Sequence, residues 1–163
     1  MYPKVLVAVM FGLFGFEPYQ IKEFLAGMMF GFIKKDEFIN IDNCLTDVKE
    51  IEHHLKEALN DFKAGGVENM LNGAIEMNKV IENFTNDVED CKAIKDDIHR
   101  IKVWSQIFDN KKDLAKLIAK NFVKHNIRIN LNKDKIIIHL IKHDMYAVGL
   151  DVSEILILLL GPV

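Results

Sequence analysis

Residues 23–35, EFLAGMMFGFIKK, decide how this chain folds, because the segment is apolar on nearly every side. Pro18 precedes it at a position that suits the first turn of a helix, and two lysines end it where a helix dipole favours cations. Phe30 and the pair Gly27 and Gly31 lie outside the main apolar stripe. A helix that is apolar all round must be buried or must meet lipid, a ligand or another chain. The stripe itself has helical spacing and consists of Ile21, Phe24, Leu25, Met28, Met29, Phe32 and Ile33.

The second face of this helix is the main candidate binding surface. Glycines four residues apart let another helix approach closely, as they do in membranes and assemblies. The segment has far fewer than the roughly 20 apolar residues that cross a bilayer. We therefore expect no membrane span here, but a face for an apolar ligand, lipid or a second copy of the chain. Its predicted members are Phe24, Gly27, Met28, Phe30, Gly31 and Phe32.

The composition is that of one globular domain. The chain has 163 residues, of which 50% are hydrophobic and 28% charged, with a net charge of −3. Nucleic-acid binding normally needs a basic stripe rich in arginine, and Arg100 and Arg128 are the only arginines, so we exclude that class. The prolines stand at positions 3, 18 and 162, which leaves a long interior without a helix breaker. We expect an all-α bundle of six or seven amphipathic helices.

Apolar periodicity outlines these helices along the interior. It predicts helices over residues 42–63 and 67–84, a helix capped by Thr85 or Asn86 that reaches residue 108, and two more over 114–122 and 146–160. Gly65 and Gly66 are expected to stop the first of these. Residues 127–141 are ambiguous, because their isoleucines fit both a hairpin and a helical face, and their helical surroundings favour a helix.

The two ends of the chain suggest the secretory route. Residues 5–16 form an apolar run of the size of a signal-peptide core, so residues 1–16 are expected to be a signal peptide, with a buried N-terminal helix as the alternative. The apolar run near the C-terminus is interrupted by Asp151 and Glu154 and is too short to span a membrane or to direct a lipid anchor. A helix that ends at Gly161 fits it better.

Two cysteines and one sequon point in the same direction. In a secreted protein Cys44 and Cys91 would form a disulfide, which closes a loop of about 48 residues and contributes about 4 kcal/mol in the chain-entropy model. The alternative is a pair of buried thiols. The sequon Asn83-Phe84-Thr85 makes Asn83 a candidate glycosylation site. Together these features predict a secreted or cell-surface protein.

Several motifs resemble a family of small secreted helical proteins of ciliates and other protists. They are FLAGMMFGF, the cysteine at 44, DCKAIKDDIHRIKVWSQIF, KNFVKHNIRI and DMYAVGLDVSEILILLLG, and together they cover residues 24–161. Ser153 stands where the family's closing segment has a glycine. The resemblance implies an all-helical fold and secretion. The family has no established activity, so it implies no function.

Catalytic and metal-binding motifs are weak. His139 and His143 share a helix face at a spacing that could hold zinc if a third ligand were present, and His53 and His54 lie among acidic residues. No nucleophile, phosphate-binding or metalloprotease motif stands out. We therefore predict no cofactor and a non-enzymatic protein that binds lipid or another apolar ligand in a pocket between helices. A structural, self-associating protein is the alternative, and an enzyme with metal at His139 is a third possibility.

Overall fold

The computed structural model describes residues 15–163, and this part of the chain is helical throughout, without a strand. It also contains short 3₁₀ helices at Lys92–Ile94 and Ser105–Asp109. The all-α prediction is confirmed. The predicted signal peptide lies outside the described residues, apart from Gly15 and Phe16. In chain order the α-helices are α1 Pro18–Ile33, α2 Phe38–Cys44, α3 Lys49–Ala64, α4 Val67–Asp87, α5 Lys95–Trp104, α6 Lys111–Lys124, α7 Asn126–Ile141 and α8 Met145–Leu160.

Helices α1 and α8 pack against each other at the centre of the bundle. Both are apolar on nearly every side, and both are buried over most of their length. A Cβ atom built on Gly27 would overlap the carbonyl oxygen of Tyr146, and one on Gly149 would overlap that of Phe24. The two backbones are thus in direct contact, because neither helix carries a side chain at the crossing. Helices α6 and α7 then cover other sides of α8.

Helices α3 and α4 form an antiparallel hairpin, and each buries one stripe. The stripe of α3 is amphipathic as predicted, with Leu55 and Phe62 fully buried. Gly65 and Gly66 end the helix with φ of 75° and 87°, backbone angles that residues other than glycine rarely adopt. The predicted stop at these glycines is confirmed.

Two predicted helix boundaries are wrong. The helix predicted over 42–63 is divided, because α2 ends at Cys44 and α3 begins at Lys49. The carboxylate of Asp87 accepts the N–H of Thr46 at 2.8 Å and replaces the helical bond there. A distant side chain thus interrupts the helix, and periodicity cannot reveal such a contact.

The predicted cap at Thr85 or Asn86 is also wrong. Thr85 is buried within the last turns of α4, and its hydroxyl donates back to the carbonyl of Glu82 at 3.3 Å. The next α-helix begins only at Lys95. A threonine near the end of a helix can thus bond its hydroxyl to a carbonyl of the same helix instead of capping the next one.

The disulfide between Cys44 and Cys91 is confirmed. It joins the last residue of α2 to the segment after α4, with the Cα atoms 5.9 Å apart. The sequence separation is 47 residues, so the chain-entropy model assigns the bond about 4 kcal/mol of stabilisation. It encloses the α3–α4 hairpin and fixes both of its ends.

Candidate functional site

The predicted face on α1 lies largely inside the protein. Phe24 and Met28 are fully buried, and Gly27 and Gly31 face α8. Phe30 is the surface member, with 36% of its area exposed and its ring centroid 6.4 Å from that of Tyr146. In the folded chain, α8 is therefore the partner that the glycine face requires.

Helix α7 has two apolar faces on opposite sides. Its inner face packs on the core through Ile129, Ile136 and Leu140, which are fully or almost fully buried. Its outer face is exposed, with Ile127 at 82% and Leu131 at 52% of their accessible area. At 100° per residue the two sets lie about half a turn apart. The outer set consists of Ile127, Leu131, Ile138 and Ile141.

The same region is strongly basic. Residues 111–143 contain nine of the chain's 21 lysines and arginines but only two of its 24 acidic residues. Helix α6 continues into α7 with His125 alone between them. Within residues 15–163, Arg128 is the one member of the nine that forms an ion pair, at 2.8 Å to Glu154. The other eight form no ion pair with a described residue.

We call this surface the basic aliphatic face. Val123, near the end of α6, is also exposed, with 75% of its area accessible. Asp134 is the acidic residue on α7 and lies within the exposed stripe. On α7 and its C-cap the face consists of Ile127, Leu131, Lys135, Ile138, Ile141 and Lys142, and the exposed Lys120, Val123 and Lys124 precede it near the end of α6. This face was not predicted from the sequence, where residues 127–141 fit both a hairpin and a helix.

A cleft of about 460 Å³ opens beside this face, between the end of α1, the start of α7 and the outer side of α8. Lys34, Arg128, Asp151 and Glu154 line it, and Arg128 and Glu154 form an ion pair at 2.8 Å. Burial raises the pKa of Asp151, although His139 donates a hydrogen bond to it and opposes that rise. The cleft therefore offers both signs of charge above an apolar floor.

Two of the histidines singled out by sequence, His54 and His139, pair with carboxylates. His139 Nδ1 lies 2.6 Å from Asp151 Oδ2, and His54 Nδ1 lies 2.8 Å from Glu76 Oε2. His143 follows α7 at the surface and takes a left-handed backbone with φ of 58°. No group of three potential metal ligands occurs within residues 15–163. The hypothetical zinc site at His139 and His143 thus has no third ligand in the described part of the chain.

The sequon lies on α4. Asn83 is half-buried, and its amide donates to the carbonyl of Lys79 at 2.8 Å. Thr85 is buried, so an enzyme could reach the tripeptide only before this helix forms. Glycosylation at Asn83 stays a prediction.

Comparison with known proteins places the chain in no family: no family model, no curated protein and no solved structure matches it. The resemblance to the secreted protist proteins stays a prediction. Among the described residues, no helix combines the length and apolarity needed to cross a bilayer. The interpretation of function therefore rests on the surfaces of the molecule.

Proposed function

We propose that this is a non-enzymatic secreted or cell-surface protein that binds lipid, and that it attaches to anionic bilayers through the basic aliphatic face. The observation that carries the proposal is the outer side of α7, where aliphatic side chains stand exposed among lysines that have no ion-pair partner in residues 15–163. Basic helices with an aliphatic face lie in the bilayer interface, with apolar side chains among the acyl chains and cations at the headgroups. The disulfide supports an oxidising compartment.

The energies are sufficient for reversible attachment. The exposed fractions of the four apolar α7 side chains add up to about two fully exposed residues. Transfer of this area from water into an apolar phase contributes about 3–6 kcal/mol to binding. Each lysine near an anionic surface adds about 1 kcal/mol, and Asp134 subtracts a similar amount. Attachment should therefore weaken when salt screens the lysines.

Charge favours lipid over a second copy as the occupant. A twofold dimer would place the same surface of each chain against its equivalent. The lysines of one copy would then meet those of the other, and like charges across an interface disfavour association. Self-association through this face therefore remains the alternative that the experiment must exclude.

Vesicle flotation tests the proposal. The full chain should float with vesicles of phosphatidylcholine and phosphatidylglycerol, and much less with phosphatidylcholine alone or in high salt. Replacing Ile127 and Leu131 together by serine should weaken binding by about tenfold, equivalent to 1.4 kcal/mol. Ile39→Ser is the matched control, because Ile39 is 75% exposed on α2 and lies outside the face. Equal flotation on both vesicle types, unchanged in the double variant, would refute the proposal.

Light scattering on the same proteins tests the alternative, self-association through the basic aliphatic face. Lipid binding predicts that the wild-type chain does not associate through this face when no vesicles are present. A dimer that forms with increasing concentration and disappears in the Ile127→Ser, Leu131→Ser variant would instead support self-association and count against the lipid proposal.

A further inference from the structure

The cleft beside the basic aliphatic face has the composition of a headgroup site. Its floor is formed by Leu150 and Ile157 on α8, and its volume of about 460 Å³ is in the range of small-molecule sites. Arg128 on its wall directly follows Ile127 in the chain, so the cleft adjoins the surface that we propose meets the bilayer. Any lipid bound at the face would have its polar part near this opening.

The charged groups on its walls are available to a ligand. Lys34 forms no ion pair with any residue of the range 15–163. Arg128 and Glu154 pair with each other, but their side chains are 62% and 42% exposed, and such a surface pair is worth about 0–1 kcal/mol. A ligand that offers an anion to Arg128 and a cation to Glu154 can therefore replace this pair at little cost.

The backbone at Lys34 places this residue at the end of α1, beside the cleft. This residue caps α1 in the left-handed conformation, with φ of 61°, where glycine is the usual residue. A side chain in this conformation costs about 1–2 kcal/mol. Lys34 follows the C-terminal end of α1 and lines the cleft together with Gly31.

We propose that the cleft binds a zwitterionic group that carries a phosphate and a primary ammonium, as in ethanolamine or serine phospholipids. The phosphate binds Lys34 and Arg128, and the ammonium donates to Glu154. A quaternary choline group has no N–H to donate, so the cleft discriminates against it. This inference deepens the proposed function when the group belongs to a bilayer, but free glycerophosphoethanolamine offers the same chemistry.

Two measurements on the full chain test the site. In solution, NMR titration with glycerophosphoethanolamine should shift the backbone amide signals of Gly31, Lys34 and Leu150, and glycerophosphocholine should shift them far less. On vesicles that contain phosphatidylglycerol, replacing part of the phosphatidylcholine by phosphatidylethanolamine should tighten binding by about tenfold, equal to 1.4 kcal/mol.

Variants separate this inference from the proposed function. Lys34→Asn keeps a residue that tolerates the left-handed backbone but removes the charge. It and Glu154→Gln should abolish the ethanolamine preference while attachment to phosphatidylglycerol vesicles persists. Replacing Ile127 and Leu131 by serine should do the reverse, weakening attachment to both vesicle types but leaving the shifts in solution.

The outcomes are distinct. Attachment without any ethanolamine preference or amide shift overturns the cleft site and leaves the proposed function standing. Amide shifts with glycerophosphoethanolamine in solution, without attachment to vesicles, support the cleft as a site for a free zwitterion and refute the bilayer proposal. A preference that survives in Lys34→Asn and Glu154→Gln overturns the assignment of the cleft.

Discussion

A single methyl group added at the crossing of α1 and α8 should destabilise the protein, although it raises the helix propensity of α1. Gly31→Ala replaces a glycine inside α1, and in an open helix this change gains about 1 kcal/mol. Here the new Cβ would overlap the Ser153 hydroxyl and lie 2.7 Å from the Ser153 Cβ. Two buried helices would have to separate, and overpacking of this kind costs about 1–3 kcal/mol or more.

Because the overlap is severe and Ser153 is fully buried, the steric cost lies at the upper end of this range, about 3 kcal/mol. Less the helix-propensity gain of about 1 kcal/mol, we expect Gly31→Ala to lower the free energy of unfolding by about 2 kcal/mol. In a domain of this size that corresponds to a fall in melting temperature of about 4–8 °C. Removing the opposing side chain should restore the space. The double variant with Ser153→Gly loses a few tenths of a kcal/mol of helix propensity but should return to within about 1 kcal/mol of the wild type.

Gly27→Ala is the matched comparison. Its Cβ would meet the backbone carbonyl of Tyr146 rather than a side chain. No substitution on α8 removes that oxygen, so Ser153→Gly should not rescue this variant. The pair of alanine variants thus distinguishes a specific contact at Ser153 from a general weakening of the helix crossing.

Urea unfolding with the disulfide intact, followed by tryptophan fluorescence and circular dichroism, measures these differences. Trp104 is the chain's one tryptophan, and its ring centroid lies 5.0 Å from that of Phe32 on α1, so its emission reports on this packing. A Gly31→Ala variant as stable as the wild type would mean that the helices do not meet at glycine. A double variant no more stable than Gly31→Ala would place the clash elsewhere.

Three further predictions concern stability without ligand. Lys34→Gly and His143→Gly should each raise the free energy of unfolding, measured by urea titration, by about 0.5–1 kcal/mol. The reason is that both residues have a positive φ, of 61° and 58°, which glycine adopts without strain. A loss of stability in either variant would contradict this argument. Asn132→Leu should stabilise the protein by about 1–2 kcal/mol, since the Asn132 side-chain oxygen is buried without a partner in the described structure and leucine has a similar size; an unchanged melting temperature would argue against that cost. Replacing Cys44 and Cys91 by alanine should lower the free energy of unfolding, measured by calorimetry, by about 4 kcal/mol. Adding reductant should lower the free energy of unfolding of the wild type but leave that of this variant unchanged.

The sequence predicted the fold class because periodicity and the scarcity of proline act locally. The stripe of α3 and the glycine stop after it follow from spacing and backbone freedom alone. The break between α2 and α3 does not, because it depends on a bond from Thr46 to Asp87, 41 residues away. The partner of Gly27 and Gly31 was equally hidden, since only the packed bundle brings α8 to them.

The ambiguity of residues 127–141 has a physical cause that bears on function. Ile127, Ile129 and Leu131 alternate as in a strand because Ile129 faces the core while its two neighbours face outward on the same helix. A helix needs one apolar face to fold, and α7 already has it in the buried set around Ile136. The outer set contributes nothing to that core, and polar residues there would serve solubility better. These apolar side chains, which the fold does not require, are the ground on which we propose a partner outside the chain, and the lysines around them are the ground on which we propose that it is anionic.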